Sequence, residues 1–307
     1  MHYGLILPTK RAGAGPEAIL ATAQAAERLG WRTLCGDDHV LVPREDGGTY
    51  GLIYEIITTL AWLGGQTTRA ILQPSVIVVP QRSAVVLAKE LATVAALTGG
   101  RMVAGVGIGW NIHEYRNLGM EDRFHVRGAY LDETIALWRH LWSGSEAPFE
   151  GRFHRIEDAL FAPLPPQGAG MPIIVGGRSD FGVRRAGRLG DGYQLSQNGP
   201  AGMAARLPLL RAAAEEAGRP MPKLSARAQV YFGAPPAGAT PAAIHGTPEE
   251  MGRVVDEWIA LGLDELLIDV DETDPDKAVA KMERLQAEVL AGRMPAAGLP
   301  AAGLPAA

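Results

Sequence analysis

Short apolar runs alternate with longer amphipathic segments along almost the whole chain. The apolar runs are largely unbroken, as is typical of strands buried on both faces of a parallel sheet. We predict strands at 3–8, 33–36, 70–79, 102–108, 172–175, 193–196, 224–232 and 265–270. We predict helices at 16–29, 52–63, 84–97, 126–142, 179–189, 201–217, 247–261 and 276–290.

Proline and glycine mark the ends of several predicted helices. Pro16 opens the first helix and Gly30 ends it, and Ser83 precedes a helix that stops at Gly99. Eight strand–helix repeats in 307 residues predict an α/β fold of the (β/α)8 TIM-barrel type, with one domain over residues 1–292. A doubly wound sheet with a cap domain is the alternative, but the sequence contains no linker that would separate two domains.

Two segments interrupt this alternation. Residues 143–171 are rich in proline and contain a predicted hairpin at 149–153, so we expect an insertion between helix 4 and strand 5, near the barrel mouth. Residues 293–307 form a low-complexity tail that repeats Leu-Pro-Ala-Ala, and we expect it to be flexible.

Composition narrows the class of protein. The net charge of −5 argues against nucleic-acid binding, which needs a basic surface. One cysteine, Cys35, permits no disulfide within the chain and suits a reducing compartment. We also expect neither a signal peptide nor a membrane span, because the apolar runs are too short. We therefore expect a cytoplasmic protein.

In a TIM barrel the active site lies at the carboxyl ends of the strands. Strand 2 ends in Asp37, Asp38 and His39. One interpretation is a helix-capping aspartate beside an ordinary loop histidine. The other is a buried Asp–His pair in which the carboxylate orients the imidazole for proton transfer, and the position favours it.

Glycines follow strands 4 and 5. Gly107 and Gly109 precede Trp110, Asn111 and Glu114, and we expect these glycines to let a ligand approach the backbone. For Gly105, the packing of small residues inside the barrel is a sufficient explanation for the glycine. The second run is Gly176, Gly177, Arg178 and Ser179, directly before a helix. It predicts an anion site, with a tight turn and serine cap as the alternative.

Other chemistries find little support. Strand 8 ends in the acidic run 269–272, which would repel a phosphate where many barrels bind one. The seven histidines show no metal-ligand spacing, and the nucleophile motif GxSxG is absent, so we expect neither a metal site nor a hydrolase.

Five motifs in order resemble the bacterial luciferase-like flavin and deazaflavin oxidoreductases, most closely the branch that uses coenzyme F420. They lie at 35–40, 73–80, 99–110, 173–177 and 185–192, and the resemblance covers residues 3–290. It implies that Asp38 and His39 lie beside the deazaflavin ring, with His39 as the proton donor or acceptor. It also implies that Ser75 and Val76 form a bulge against the ring, often with a cis peptide bond.

The resemblance further implies how the rest of the cofactor is bound. The ribityl chain and phosphate would be bound by Gly107, Gly109, Asn111, Glu114, Gly176, Gly177 and Arg178, with Ser179 at the helix start, while Trp110 would line the ring or substrate space. The implied reaction is hydride transfer between C5 of the deazaflavin and a small organic substrate. Homodimers are common in this family.

Three alternatives remain at this point. One is an FMN-dependent monooxygenase of the same superfamily, supplied with reduced flavin by a partner reductase. Another is a non-catalytic flavin-binding protein, and the third is a barrel enzyme of unrelated chemistry. We expect the insertion and the loop at 233–243 to face the substrate. The sequence of neither segment indicates which substrate this is.

Overall fold

A closed sheet of parallel strands forms the centre of the molecule in the computed structural model, which describes residues 1–294. All but two residues of the predicted tail lie outside this range. The barrel strands are His2–Ile6, Thr33–Gly36, Ile71–Pro74 continued by Ile77–Val78, Ala104–Gly107, Ile173–Gly176, Gly192–Leu195, Lys223–Phe232 and Glu265–Asp269.

Closure of the sheet is visible in the strand pairing. The first strand pairs in parallel with the second and also with the last, where Tyr3 lies opposite Leu266. The third strand reaches the fourth through Leu72 opposite Met102 and Ile77 opposite Val106. The predicted (β/α)8 barrel is therefore confirmed.

Helices connect the strands and cover the barrel. The principal helices are Pro16–Arg28, Ile56–Gly64, Ala84–Leu97, Arg127–Trp142, Asp180–Leu189, Leu207–Glu216, Pro248–Ala260 and Pro275–Leu285. Shorter helical segments are Arg44–Asp46, Gly47–Tyr50, Val79–Gln81, Ile112–Asn117, Glu121–Phe124, Gly168–Gly170, Pro200–Ala204 and Gln286–Leu290. Apolar side chains from helices and strands are fully buried between the two layers.

Two predicted helix boundaries differ for identifiable reasons. The helix predicted at 52–63 begins at Ile56, because the Glu55 carboxylate accepts hydrogen bonds from the N–H groups of Ile57 and Thr58. The helix predicted at 201–217 is divided in two. Pro208 lies at the start of the second part, where its missing N–H is tolerated, but it could not continue the first helix.

Two strand predictions also need correction. The strand predicted at 70–79 is interrupted at Ser75 and Val76, so it consists of two short segments. The sequence pattern did not indicate the short strand Ile244–Gly246, which pairs in parallel with the end of the seventh barrel strand.

The insertion at 143–171 contains the predicted hairpin. Strands Phe149–Glu150 and Arg155–Ile156 pair antiparallel. The Glu133 carboxylate on helix Arg127–Trp142 accepts hydrogen bonds from the N–H groups of the intervening turn, including Phe153 at 2.7 Å. The hairpin is thereby fixed to the side of that helix.

Of the helices within residues 1–294, none combines the length and apolarity that a membrane span requires.

Candidate active site

A cavity of about 460 Å³ lies at the carboxyl ends of the barrel strands. Its walls come from the ends of six strands, from the second to the seventh, and from the segments that follow them. The predicted site residues on its lining are Asp38, His39, Ser75, Val76, Gly107, Gly109, Trp110, Glu114, Gly176, Gly177, Arg178 and Ser179. The barrel thus brings together groups that are far apart in sequence.

Asn111 is the exception among the predicted site residues. Its side-chain oxygen accepts a hydrogen bond from the N–H of His113 and so caps helix Ile112–Asn117. Its amide nitrogen donates to Asp46 at 2.6 Å. Because both ends of the amide are engaged in these structural bonds, the predicted contact with a cofactor is corrected to a capping role.

His39 is bound to Glu114. The Nδ1 atom of His39 lies 3.0 Å from Glu114 Oε2, and the N–H of Val40 donates to Glu114 Oε1 at 2.7 Å. Burial alone raises the pKa of Glu114, but these hydrogen bonds outweigh burial and the net pKa is lowered. The carboxylate is therefore ionised at neutral pH and serves as an acceptor for the imidazole.

Aromatic rings enclose the same imidazole. The Tyr50 ring centroid lies 4.1 Å from that of His39, and the Trp110 ring meets it edge-on at 6.3 Å. The His39 side chain is only 9% exposed, whereas Trp110 is 61% exposed. The imidazole is thus held in one orientation at the wall of the cavity.

Asp38 does not have the role that the sequence suggested. One of its oxygens accepts from the N–H of Val78 at 2.8 Å, and the other lies 2.5 Å from the guanidinium of Arg82. Arg82 also contacts Glu55, at 2.9 Å. Because Asp38 is engaged by these groups, the interpretation that its carboxylate orients His39 is wrong, and Glu114 performs that role.

The peptide bond between Ser75 and Val76 is cis, as the family resemblance implied. The Ser75 hydroxyl accepts a hydrogen bond from Gln194 at 2.8 Å, while the Val76 side chain projects toward the fourth and fifth strands. A Cβ atom on Gly107 would lie 2.5 Å from Val76, and one on Gly176 would lie 2.9 Å from it. These glycines therefore make room for Val76.

Gly109 has the same kind of role. Its φ of +65° favours glycine, and an added Cβ would lie 2.6 Å from Val78. A side chain at Gly107 or Gly109 would therefore meet Val76 or Val78. Both glycines also line the cavity, and the expectation that they let a ligand approach the backbone stays a prediction.

The fifth-strand side of the cavity is cationic. The Ser179 hydroxyl caps helix Asp180–Leu189, and Arg178 donates to Gln197 at 2.6 Å. Arg185 and Arg127 line the same region, and the buried Nε of Arg127 has no hydrogen-bond partner within residues 1–294. Positive charge and a helix N-terminus at one place suit an anion.

Sequence reasoning missed several residues of the lining. Arg227 lies within the seventh strand, Gln194 within the sixth, and Arg127 at the start of a helix. For Gln194, a polar side chain inside an otherwise apolar strand was the available signal. Arg227 did not stand out in this way, because its strand also contains Lys223, Ser225 and Gln229. Neither the insertion nor the loop at 233–243 contributes to the lining. In the described part of the chain, no three histidine, cysteine or acidic side chains are grouped as a metal site.

The sequence profile of luciferase-like monooxygenases matches residues 1–251. The chain belongs to the luciferase-like monooxygenase family. It is 33% identical over 222 residues to an F420-dependent glucose-6-phosphate dehydrogenase from Nakamurella multipartita. That alignment covers 68% of this chain and 61% of the relative, so the chain spans about three fifths of the relative's length.

Solved structures of the luciferase-like type share the fold. An F420-dependent secondary alcohol dehydrogenase, solved with an F420–acetone adduct, superposes with a TM-score of 0.80 at 16% identity, covering 94% of this chain and 98% of that one. The oxygenating constituent of 3,6-diketocamphane monooxygenase from Pseudomonas putida, solved with FMN, gives a TM-score of 0.78 at 17% identity, covering 96% and 99%.

Proposed function

We propose that this chain is an F420-dependent oxidoreductase that transfers a hydride between C5 of the deazaflavin and a small organic substrate. The observation that carries the proposal is a single cavity with the His39–Glu114 pair on one side and a cationic helix N-terminus on the other. The named relative, an F420-dependent dehydrogenase, supports it.

The residues on the cationic side fit the phosphate of F420. Ser179 and the start of helix Asp180–Leu189 provide N–H groups, and Arg178 provides charge. Arg185 is paired with Asp132 through Nε, so it contributes donors of its other nitrogens. The buried Nε of Arg127 has no partner in residues 1–294, and a phosphate oxygen is the kind of acceptor it needs. The ring then belongs at the other side, against Ser75 and Val76 and beside His39.

When bound, F420 supplies the hydride chemistry, and the protein supplies position and proton transfer. Glu114 is ionised and can only accept, so we infer that Nδ1 of His39 carries the hydrogen in their bond. Nε2 is then the nitrogen free to take a proton from a substrate hydroxyl or to return it to a carbonyl. Arg82 holds Asp38, and Asp38 in turn fixes the backbone of Val78 beside the bulge.

Titration of the purified apoprotein with F420 and, separately, with FMN tests this proposal through the change in cofactor fluorescence. Saturable binding of F420, without binding of FMN, would support the proposal and justify a screen for the substrate. The first substrates to test are glucose 6-phosphate, for which the relative is named, and a secondary alcohol, for which the structural neighbour is named. Binding of FMN alone would contradict it and favour a monooxygenase that depends on a partner reductase.

The substitution His39→Ala separates chemistry from binding. We expect turnover to fall about 100-fold or more, as removal of a general acid–base does, while the Kd of F420 changes little. His113→Ala is the matched control, because His113 is exposed on helix Ile112–Asn117. Unchanged turnover, or equal loss of turnover and binding, would refute the role of His39.

Two further expectations stay predictions. The homodimer is testable by size-exclusion chromatography with light scattering, and the cytoplasmic location by fractionation of cells that express the protein.

A further inference from the structure

A cluster of three charged side chains lies at the ring side of the cavity and has no part in the proposed function as stated. It consists of Lys10, Asp37 and Arg227, whose side chains are 13%, 14% and 16% exposed. Asp37 follows the second strand, and Arg227 lies within the seventh strand. We call these three residues the charged cluster.

The contacts of Arg227 fix its guanidinium in place. Nη1 lies 2.7 Å from Asp37 Oδ1 and also donates to the backbone oxygen of Ser75 at 2.5 Å. Ser75 is the first residue of the bulge against which the ring is expected to lie. Arg227 lines the cavity, and neither its Nε nor its Nη2 makes a hydrogen bond within residues 1–294. These donors are therefore available to a ligand.

The charges of the cluster do not cancel. Lys10 binds the second oxygen of Asp37, so two cations share one carboxylate. Burial alone lowers the pKa of Arg227, but Asp37 outweighs it and the net pKa is raised. Within the three residues themselves, two cations contact one carboxylate, so the formal charge of the charged cluster is +1. The Asp269 carboxyl lies close by, and burial raises its pKa. Arg11 is paired with Asp271.

We propose that Arg227, anchored by Asp37 and supported by Lys10, is the cation that faces the bound ring and stabilises its reduced form. This inference rests on the proposed function. Bound F420 would supply the hydride acceptor: a breaking substrate C–H bond would give its hydrogen and electron pair to C5, while His39 would take the hydroxyl proton. Hydride uptake would add one negative charge to the ring, and Arg227 beside it would lower the energy of that form.

The test is the ratio of dissociation constants for reduced and oxidised F420, measured anaerobically by fluorescence titration. We expect Arg227→Met to raise the reduced-to-oxidised Kd ratio about tenfold, equivalent to about 30 mV in the two-electron potential of the bound ring. Arg227→Lys retains the charge and should restore most of the ratio. Lys10→Met removes the excess charge but leaves Arg227 in place, and should give an intermediate shift.

Arg211→Met is the matched control, since Arg211 is exposed on helix Leu207–Glu216 and its removal changes the net charge equally. Its ratio should equal that of the wild type. If Arg227→Met weakens binding of reduced and oxidised F420 equally, and Arg227→Lys does not restore binding, the inference is overturned. Arg227 would then have a structural role alone. If the wild type binds neither form, the proposed function itself fails. If Arg227→Met does not fold, the Arg227→Lys and Lys10→Met ratios decide the question.

Discussion

The substitution Glu114→Gln examines the hydrogen bond that orients His39. Glu114 accepts from three donors, and its side chain is 2% exposed. Oε2 accepts from the imidazole at 3.0 Å, while Oε1 accepts from the N–H groups of Val40 at 2.7 Å and Leu41 at 3.4 Å. A glutamine has only one oxygen for the imidazole and these two N–H groups. If that oxygen stays with Val40, the amide NH₂ meets Nδ1 and selects the tautomer with hydrogen on Nε2.

The consequence is a histidine that is present but holds its hydrogen on the wrong nitrogen. Because Nε2–H cannot accept a proton, we expect kcat for oxidation of the substrate that the screen identifies to fall by about 10²–10⁴-fold, the range that general acid–base catalysis contributes. Loss of one hydrogen bond to a buried charged group should lower the free energy of unfolding by about 1.5–3 kcal/mol. The Kd of F420 should change less than threefold, since Glu114 is engaged by the protein.

Two assays check this account. Nitrogen-15 NMR of the imidazole reports the tautomer without any substrate, and stopped-flow absorbance reports hydride transfer with the substrate that the screen identifies. Glu121→Gln is the matched control, as Glu121 is 51% exposed and forms an ion pair with Arg116 away from His39. The same tautomer in Glu114→Gln and wild type, together with an unchanged kcat, would refute the reasoning.

Three further predictions test the surroundings of the site. Burial alone raises the pKa of Asp37, but Arg227 and Lys10 outweigh burial and the net pKa is lowered. The ionised Asp37 therefore stabilises the folded state fully at pH values above about 3.9, the pKa of an aspartate in the unfolded chain. This stabilisation is lost as the pH falls below that value. Asp37→Asn should accordingly cost about 3–5 kcal/mol at pH 7, and acid-unfolding curves should show a weaker pH dependence. Gly107→Ala should cost about 1–3 kcal/mol in denaturant unfolding and weaken F420 binding by displacing Val76, whereas Gly47→Ala, which meets open space, should do neither. Asn111→Ala should cost about 0.5–2 kcal/mol through the lost cap, with an F420 Kd within twofold of wild type by titration.

The repeating pattern of the chain was enough to predict the barrel. Each strand–helix unit carries its own signal, such as Pro16 at a helix start, and eight units in order leave little choice of architecture. Boundaries were missed where one side chain decides them. The Glu55 cap and Pro208 are examples, because a wide hydrophobic window does not detect a single hydrogen bond or its loss.

The sequence indicated most of the individual site residues, but not which of them contact each other. Glu114 was identified as a site residue, yet its partner His39 lies 75 positions away, and Asp38 was the nearer candidate. The pairing of strand 3 with both strand 2 and strand 4 brings the helix after strand 4 to the end of strand 2. Arg227 was missed for the same reason, since its contacts with Asp37 and Ser75 cross the barrel interior.

A crystal structure of the protein with F420 bound would show where the ring and the phosphate lie. We expect the deazaflavin ring against Ser75 and Val76 with C5 open to His39, and the phosphate at Ser179 among Arg127, Arg178 and Arg185. Cofactor bound outside this cavity, or in it with the phosphate beside His39, would refute the proposed function of the site.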